Sequence, residues 1–410
     1  PVPFDVPTGA AATDPSLAAR PADIVVIEGV MGLFDGASGR GELASTAHVA
    51  KLTGSPVVLV VDATAMSRSA AAVVHGFRSF DPDVQIAGVI LNRVGSEHHE
   101  ALLRDAIEPL GVPVLGAVRR SDRLATPERH LGLVPASERE AAAKQALDAL
   151  AVAVADHVEL DALVRLARSA PPLAAEAWSP PTPAPDEATG PAPRIAVASG
   201  NAFSFHYREN LESLAALGAE LVPFDPTRDE TLPAGAGALL LAGGFPEVYG
   251  EALAANRPLR TAVAAAVRGG LPTVAECGGL LYLCDRLDDH AMCGVLPGNA
   301  RMAGRLSLGY REAVVQTSSP LAAAGDQLRG HEFHYSTVDP SCGDGDGLNA
   351  AGAAFTLRAR GRERREGFAT ATLSASYLHV HWAAFPQAPR RLVAAAHAHA
   401  SRPAAAAGHA

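Results

Sequence analysis

The sequence predicts two α/β domains, each a parallel sheet wound on both faces by helices. Apolar runs that are continuous rather than alternating recur between helical segments, as strands buried on both faces require. Ala, Gly and Val dominate a chain of 410 residues that is 48% hydrophobic and only 5% aromatic, a composition suited to close helix–sheet layers. A Pro-dense stretch without periodicity, SAPPLAAEAWSPPTPAPDEATGPAP at 169–193, separates two such series and reads as an extended linker.

In chain order, 1–21 is Pro- and Ala-rich coil with no initiating methionine. DIVVIEG at 23–29 is the first strand, followed by PVVLVVD at 56–62, QIAGVILN at 85–92 and PVLGAV at 113–118. Glu97 to Leu110 gathers Leu102, Leu103, Ala106, Ile107 and Leu110 on one helical face,. Ala-rich helices from Ser137 to Arg168 close the first domain, 1–168. The second, 194–400, opens with the strand RIAVAS at 194–199, a helix Tyr207 to Leu217 ended by Gly218, and strands ELVPF at 220–224 and ALLLAGG at 238–244,. Glu251 to Arg268 reads as one helix, Pro272 to Ala275 as a strand and Leu280 to Leu287 as a helix. The style then turns to β, with strands at 306–315, 331–338 and 370–382, before a last helix, Arg390 to Ala400. Residues 401–410 form a low-complexity tail that reads as disordered,.

The formal charge of −10 argues against a nucleic-acid surface,. No signal peptide opens the chain and no apolar run reaches membrane-spanning length, so a cytoplasmic, reduced protein is expected. Cys277, Cys284, Cys293 and Cys342 form no CxxC pair and have no histidine at zinc spacing,. Cys284 lies seven residues after Cys277 on the same expected helix and reads as packing.

Chemistry concentrates in LPTVAECGGLLYLCDRL, Leu271 to Leu287. Cys277 stands in a tight turn between strand and helix, with Gly278 and Gly279 as small neighbours that let the backbone bend. Near a helix N-terminus the thiolate is favoured, the form that acts as nucleophile. A buried core cysteine before an ordinary Gly-Gly turn fits the spacing equally. In YLHVHW, His379 and His381 alternate and so share a strand face, and one of them could take the thiol proton. A pair of half-buried strand histidines is the plain alternative. In LAGGFPE a strand ends at Gly243 and Gly244; the Gly244 and Gly278 backbone N–H groups would suit an oxyanion. A plain strand-end turn also fits.

The order of these signals, strand, GG turn, helix, strand, AECGG elbow, helix, β segment and late YLH, resembles class I glutamine amidotransferase domains. By that resemblance Cys277 attacks the side-chain amide of glutamine, forms a thioester and releases ammonia, with His379 as its base. Many class I relatives carry Glu two positions after the histidine, where this chain has His381, so His381 is either a weaker orienter or merely packed. EGVMGLFDG at 28–36, LNRVGSEHH at 91–99, PERHLGLVPASE at 127–138, GGFPEVYG at 243–250, LGYREA at 308–313 and RGHEFHYS at 329–336 narrow the match. Together they resemble the cobyrinic or hydrogenobyrinic acid a,c-diamide synthase family over residues 21–400.

The resemblance implies ATP, Mg²⁺, glutamine and a corrinoid, with ATP phosphorylating a ring carboxylate that ammonia then converts to an amide. Glu28, at a strand end, would hold Mg²⁺; Asp35 on the loop would orient the metal or the reacting carboxyl; Asn92 would hydrogen-bond the nucleotide base. A satisfied strand-end acid, a turn Asp and a helix-capping Asn are the plain readings of the same residues. A homodimer is an open expectation. The family's Gly-rich phosphate loop of the GxxxxGK[ST] kind has no match, and neither Lys51 nor Lys144 lies in such a loop,. The nucleotide-binding domain therefore reads as P-loop-like but incomplete, and this chain is expected to bind ATP poorly. Rival readings are a cobyric acid synthase-type amidase, disfavoured by HEFHYS and YLHVHW, and a glutaminase or corrin-binding protein without ATP chemistry.

Overall fold

The computed structural model describes residues 23–29, 31–121, 124, 140–173, 176–184, 191–345, 351–359 and 361–401. The expected coil at 1–21, the PERHLGLVPASE segment and the tail beyond Ser401 lie outside them. The chain divides into two units between Glu176 and Ala177, inside the Pro-dense stretch.

In the N-terminal unit, β1 (Val57–Asp62), β2 (Ile86–Val94) and β3 (Val114–Arg119) form a parallel sheet in that order. The helices Ser69–Phe80 and Glu97–Ile107 follow β1 and β2. Ser96 caps the second, accepting from the His99 N–H at 3.1 Å, and a 3-10 turn, Glu108–Leu110, ends it at Gly111. Val74, Val89, Leu91, Leu103 and Ile107 are fully buried between these layers, each contributing roughly 1.5–3 kcal/mol of burial. Beyond β3 the expected Ala-rich stretch is two helices, Glu140–His157 and Leu160–Ala167.

The expected first strand is absent. Residues 24–29 pair with none of the described strands, and Val25 and Val26 are 73% and 89% exposed. Hydrophobic sequence alone does not make a strand; a neighbour must complete the backbone ladder. β1 likewise leaves Val60 open to solvent.

In the C-terminal unit the main sheet runs β14–β15–β7–β6–β4–β5. These are β4 (Arg194–Ala198), β5 (Glu220–Phe224), β6 (Ala236–Leu241), β7 (Thr273–Glu276), β14 (Phe368–Thr370) and β15 (Leu373–Ser376). All pairs are parallel except β14 with β15. The expected single helix 251–268 is broken into Gly250–Ala255 and Arg257–Arg268. Asn256 caps the second with its side chain and Pro258 sits in its first turn, the chemistry of a helix start. The helix after the elbow is shorter than expected, Gly278–Leu283. Arg286–Leu287 instead forms β8, which pairs with β9 (His290–Ala291) and β10 (Asn299–Val315). β10 also pairs with β11 (Gln327–Asp339) and β12 (Phe355–Ala359), and β12 with β13 (Arg362–Glu366). Gln387–Ala400 closes the unit as a helix, with Leu392 and Ala396 fully buried.

The expected strand 370–382 ends at Ser376. Glu366, buried, explains the exit: its carboxylate accepts from Ser376 Oγ at 2.5 Å and from the Tyr377 N–H at 2.9 Å. Asn210 then bridges Val380 O at 3.1 Å and the Trp382 N–H at 2.8 Å. A single two-way backbone bridge joins His379 to His331. The segment that carries His379 is thus pinned at three points outside the main sheet.

Candidate active site

Cys277 follows β7 directly, with φ +48° and ψ −98°. A non-glycine residue there stores roughly 1–3 kcal/mol of strain. The Cys277 N–H bonds Ser376 O at 2.8 Å and its carbonyl accepts from the Leu281 N–H at 3.1 Å, so neighbours on both sides hold the elbow in place.

The glycines around it are there for close approach. A Cβ on Gly279 would stand 2.2 Å from Leu241 O, and one on Gly278 would stand 3.0 Å from the Gly244 nitrogen. A Cβ on Gly244 would meet Ala202 O at 2.1 Å, and one on Gly243 would meet His379 Cε1 at 2.7 Å. The ends of β6 and β7 and the imidazole of His379 therefore converge, and only glycine permits it. Gly243, Gly244, Gly278, Cys277 and His379, expected from sequence, are brought together.

His379 is buried. His331 stacks flat against it, ring centres 4.9 Å apart and planes 13° apart, and Phe205 meets it edge-on at 5.2 Å. Its Nδ1 lies 3.9 Å from Glu276 Oε2. His381 goes elsewhere. Strand alternation, which put both histidines on one face, does not apply past Ser376; His381 is half-exposed, 3.3 Å from Glu209 Oε2 and edge-on to Tyr207 at 4.8 Å.

Electrostatics correct one expectation. Burial pushes the Cys277 thiol up to about 12, helped by the Glu247 charge and opposed by the Gly278 N–H. Six residues of helix do not offset that desolvation, because the dipole acts through a short, buried turn. Burial also lowers His379 to about 3, with the His331 and His334 charges acting in the same direction. The resting pair is a neutral thiol and a neutral imidazole.

Behind this site β11 carries Glu332, whose side chain has no exposure. Arg311 Nε approaches it at 2.5 Å, Arg364 binds its other oxygen and His334 Nε2 lies 3.6 Å away. Burial opposes ionisation, but the nearby His334 imidazole and the Arg364 and Arg311 charges hold the carboxyl at about 2. Glu276, His331 and Glu332 were missed as site residues. The signal for Glu276 was a carboxylate ending a strand, TVAE, whose other positions are all built for burial,.

In the N-terminal unit Glu28 and Asp35 are exposed, and the Asp35 N–H closes a turn on Gly32 O at 2.9 Å. Asn92 pairs across from Asp62 at the carboxyl ends of β2 and β1, where open α/β sheets bind ligands. Asp62 meets Arg93 there at 2.9 Å and Thr64 Oγ1 at 2.6 Å. Among the described residues no hydrogen bond or ion pair joins Glu28 or Asp35 to Asn92, and no three His, Cys, Asp or Glu side chains cluster to hold a metal. Lys51 is tied to Asp81 and Glu42, and Lys144 to Asp148. Among the described residues these side chains do not compose a phosphate cradle or a magnesium site. No helix of the described residues is long and apolar enough to cross a membrane.

Comparison with known proteins agrees with this layout. Residues 194–387 match the family described as CobB/CobQ-like glutamine amidotransferase domain, and 2–134 match the CobQ/CobB/MinD/ParA nucleotide binding domain. The chain is 53% identical to a hydrogenobyrinate a,c-diamide synthase of Streptomyces coelicolor, over 92% of this chain and 81% of that protein. It is 51% identical to one of Thermobifida fusca, over 92% and 80%. It is 41% identical to a cobyrinate a,c-diamide synthase of Synechococcus, over 89% and 79%. With a strained cysteine elbow, a two-glycine backbone and a buried histidine in its amidotransferase half, and identity on this scale across both halves, the chain belongs to the hydrogenobyrinate and cobyrinate a,c-diamide synthase family.

Proposed function

We propose that this protein is a carbon–nitrogen ligase that uses glutamine as nitrogen donor to amidate the a and c carboxylates of a corrinoid, hydrogenobyrinate or cobyrinate, in cobalamin biosynthesis. The observation that carries the reading is the convergence of Cys277, the Gly244 and Gly278 backbones and His379 in one buried pocket of backbone approach. His379 takes the thiol proton as Sγ attacks the side-chain amide carbon of glutamine. The Gly244 and Gly278 N–H groups receive the developing oxyanion. Collapse breaks the C–N bond, and His379 returns the proton to the departing ammonia. Water then hydrolyses the thioester to glutamate. ATP, as substrate of the nucleotide-binding half, activates the ring carboxylate that ammonia attacks. All four cysteines are free thiols, which suits a reducing cytoplasm.

In a chain that carries the family's Gly-rich phosphate loop, incubation with hydrogenobyrinate, glutamine and Mg-ATP should yield a diamide in which two carboxyls have exchanged hydroxyl for amino nitrogen, read by mass spectrometry with amide-labelled ¹⁵N-glutamine. A product without the label, or a single unreacted tetrapyrrole, would overturn the reading.

Glu28 and Asp35 are assigned to the synthetase chemistry, on their exposed carboxylates and the family segment EGVMGLFDG. In a chain that carries the family's Gly-rich phosphate loop, Glu28→Gln and Asp35→Asn are expected to slow ammonia-driven diamide formation roughly a hundredfold or more, with glutaminase activity spared. Near-normal ammonia-driven rates in both variants would return these carboxylates to a structural role.

A further inference from the structure

We propose that Glu276 is the positioning residue of His379, its carboxylate receiving the Nδ1–H of the imidazole while the ring carries the Cys277 proton. This rests on the glutaminase reading above. It places the partner of the base one residue before the nucleophile, on β7, rather than two residues after the base.

His379 Nδ1 and Glu276 Oε1 are buried without partners and are complementary, while His334 Nε2, also without one, lies toward Glu332 at 3.6 Å. The complementary two belong to side chains that approach at 3.9 Å, Nδ1 to Oε2. The Val380 N–H also bonds the Glu276 carboxylate, so the carboxyl is tied to the very segment that carries the ring. A closure of about 1 Å completes a hydrogen bond, a tightening of the kind that substrate binding brings to catalytic pairs.

The other candidates are committed elsewhere. His381 reaches Glu209. His331 lies face to face with His379, a geometry in which neither ring's N–H edge points at the other, and its Nδ1 stands 3.3 Å from Tyr207 Oη. His334 Nδ1 bonds Ser336 O, and Glu332 is engaged by Arg311 and Arg364.

In the step, the thiol S–H bond breaks as the S–C bond to the amide carbon forms, and the proton passes to the imidazole nitrogen opposite Nδ1. Glu276 keeps its charge and takes no proton from the ring. The ring gives its proton to the leaving nitrogen as the C–N bond breaks. The groups facing this pair are Cys277, Glu247, Tyr207, His331, Glu332 and His334. Burial pushes Glu276 up to about 8, while Glu332 is held near 2, His379 near 3 and Cys277 near 12. Ionised Glu276 therefore accumulates as pH rises through about 8, and the glutaminase rate rises with it.

The test is the pH profile of glutamine hydrolysis by the full chain, from about pH 6 to about pH 10, for the parent and for Glu276→Gln, Glu276→Asp and Cys277→Ala. The parent kcat should climb through an apparent pKa near 8. Glu276→Gln should lose that step and roughly 10²- to 10⁴-fold in kcat with little change in KM, and Glu276→Asp should restore part of both. A Glu276→Gln enzyme with parental kcat and the same pH step overturns the positioning role. Hydrolysis that survives Cys277→Ala overturns the nucleophile assignment instead. Should Glu276→Gln fail to fold, ¹⁵N resonances of His379 in the parent decide: an Nδ1 shift that follows a titration near 8 supports the proposal, and an Nδ1 indifferent to pH overturns it.

Discussion

Cys277→Ala is expected to abolish glutamine hydrolysis, a loss on the order of 10⁴- to 10⁶-fold, while leaving any diamide formation from free ammonia intact. The separation follows from chemistry. The nucleophile, its base and the two backbone donors all come from β6, β7 and the segment after β15, within one unit. Ammonia supplied from solution bypasses every one of them. The size of the loss follows from burial. With the thiol pushed up to about 12, no standing thiolate is available at neutral pH, so attack depends on proton transfer to His379 as the substrate arrives. Neither Cys284 nor Cys293 can substitute, since the Cys284 thiol donates to Leu280 O at 3.3 Å inside the helix and Cys293 packs against Tyr282, both away from Gly244 and His379. Paired assays with glutamine and with an ammonium salt read both halves of the expectation.

Glu332→Gln should cost the fold several kcal/mol, roughly 3–5 by the general behaviour of a broken buried ion pair, and lower Tm by on the order of 10 °C. Glu332 has no exposed side-chain surface, and Arg311 is only 16% exposed. Removing the carboxylate leaves a buried guanidinium uncompensated, while Arg364, half-exposed, can turn to water. The sign with pH is set by the carboxyl's depression from 4.5 to about 2. Its contribution is fully present above about 4.5 and is lost as pH falls toward 2,. The variant should therefore be less stable than the parent at neutral pH, with the gap narrowing in acid. Equal denaturant midpoints for parent and variant at neutral pH would show that the Arg311–Glu332–Arg364 cluster contributes nothing net.

The parallel strands were legible because burial on both faces writes a continuous apolar run, and β1 to β5 and β7 follow such runs to within two residues, whereas β6 stops at Leu241 and leaves Gly243 and Gly244 in the turn beyond it. The same rule failed at 24–29, where apolar character was present and a pairing neighbour was not. β13 was missed because RERRE at 362–366 carries no apolar pattern at all; it forms through its ladder to β12. The elbow was legible from AECGG, since small neighbours are a local requirement. The partner of His379 was not. Alternation along YLHVHW pointed to His381, and the Glu366 carboxylate ends that strand before the alternation can apply. Glu276 and His331 meet His379 only through contacts between distant segments, which no local spacing encodes.

The most direct measurement is covalent capture. An electrophilic glutamine analogue, a diazoketone, should alkylate the intact protein once, and peptide mapping should place the adduct on Cys277. Excess glutamine should protect the thiol, and ammonia-driven synthesis should survive the modification. An adduct on Cys284, Cys293 or Cys342 that abolishes glutaminase activity, with Cys277 unmodified, would contradict the account.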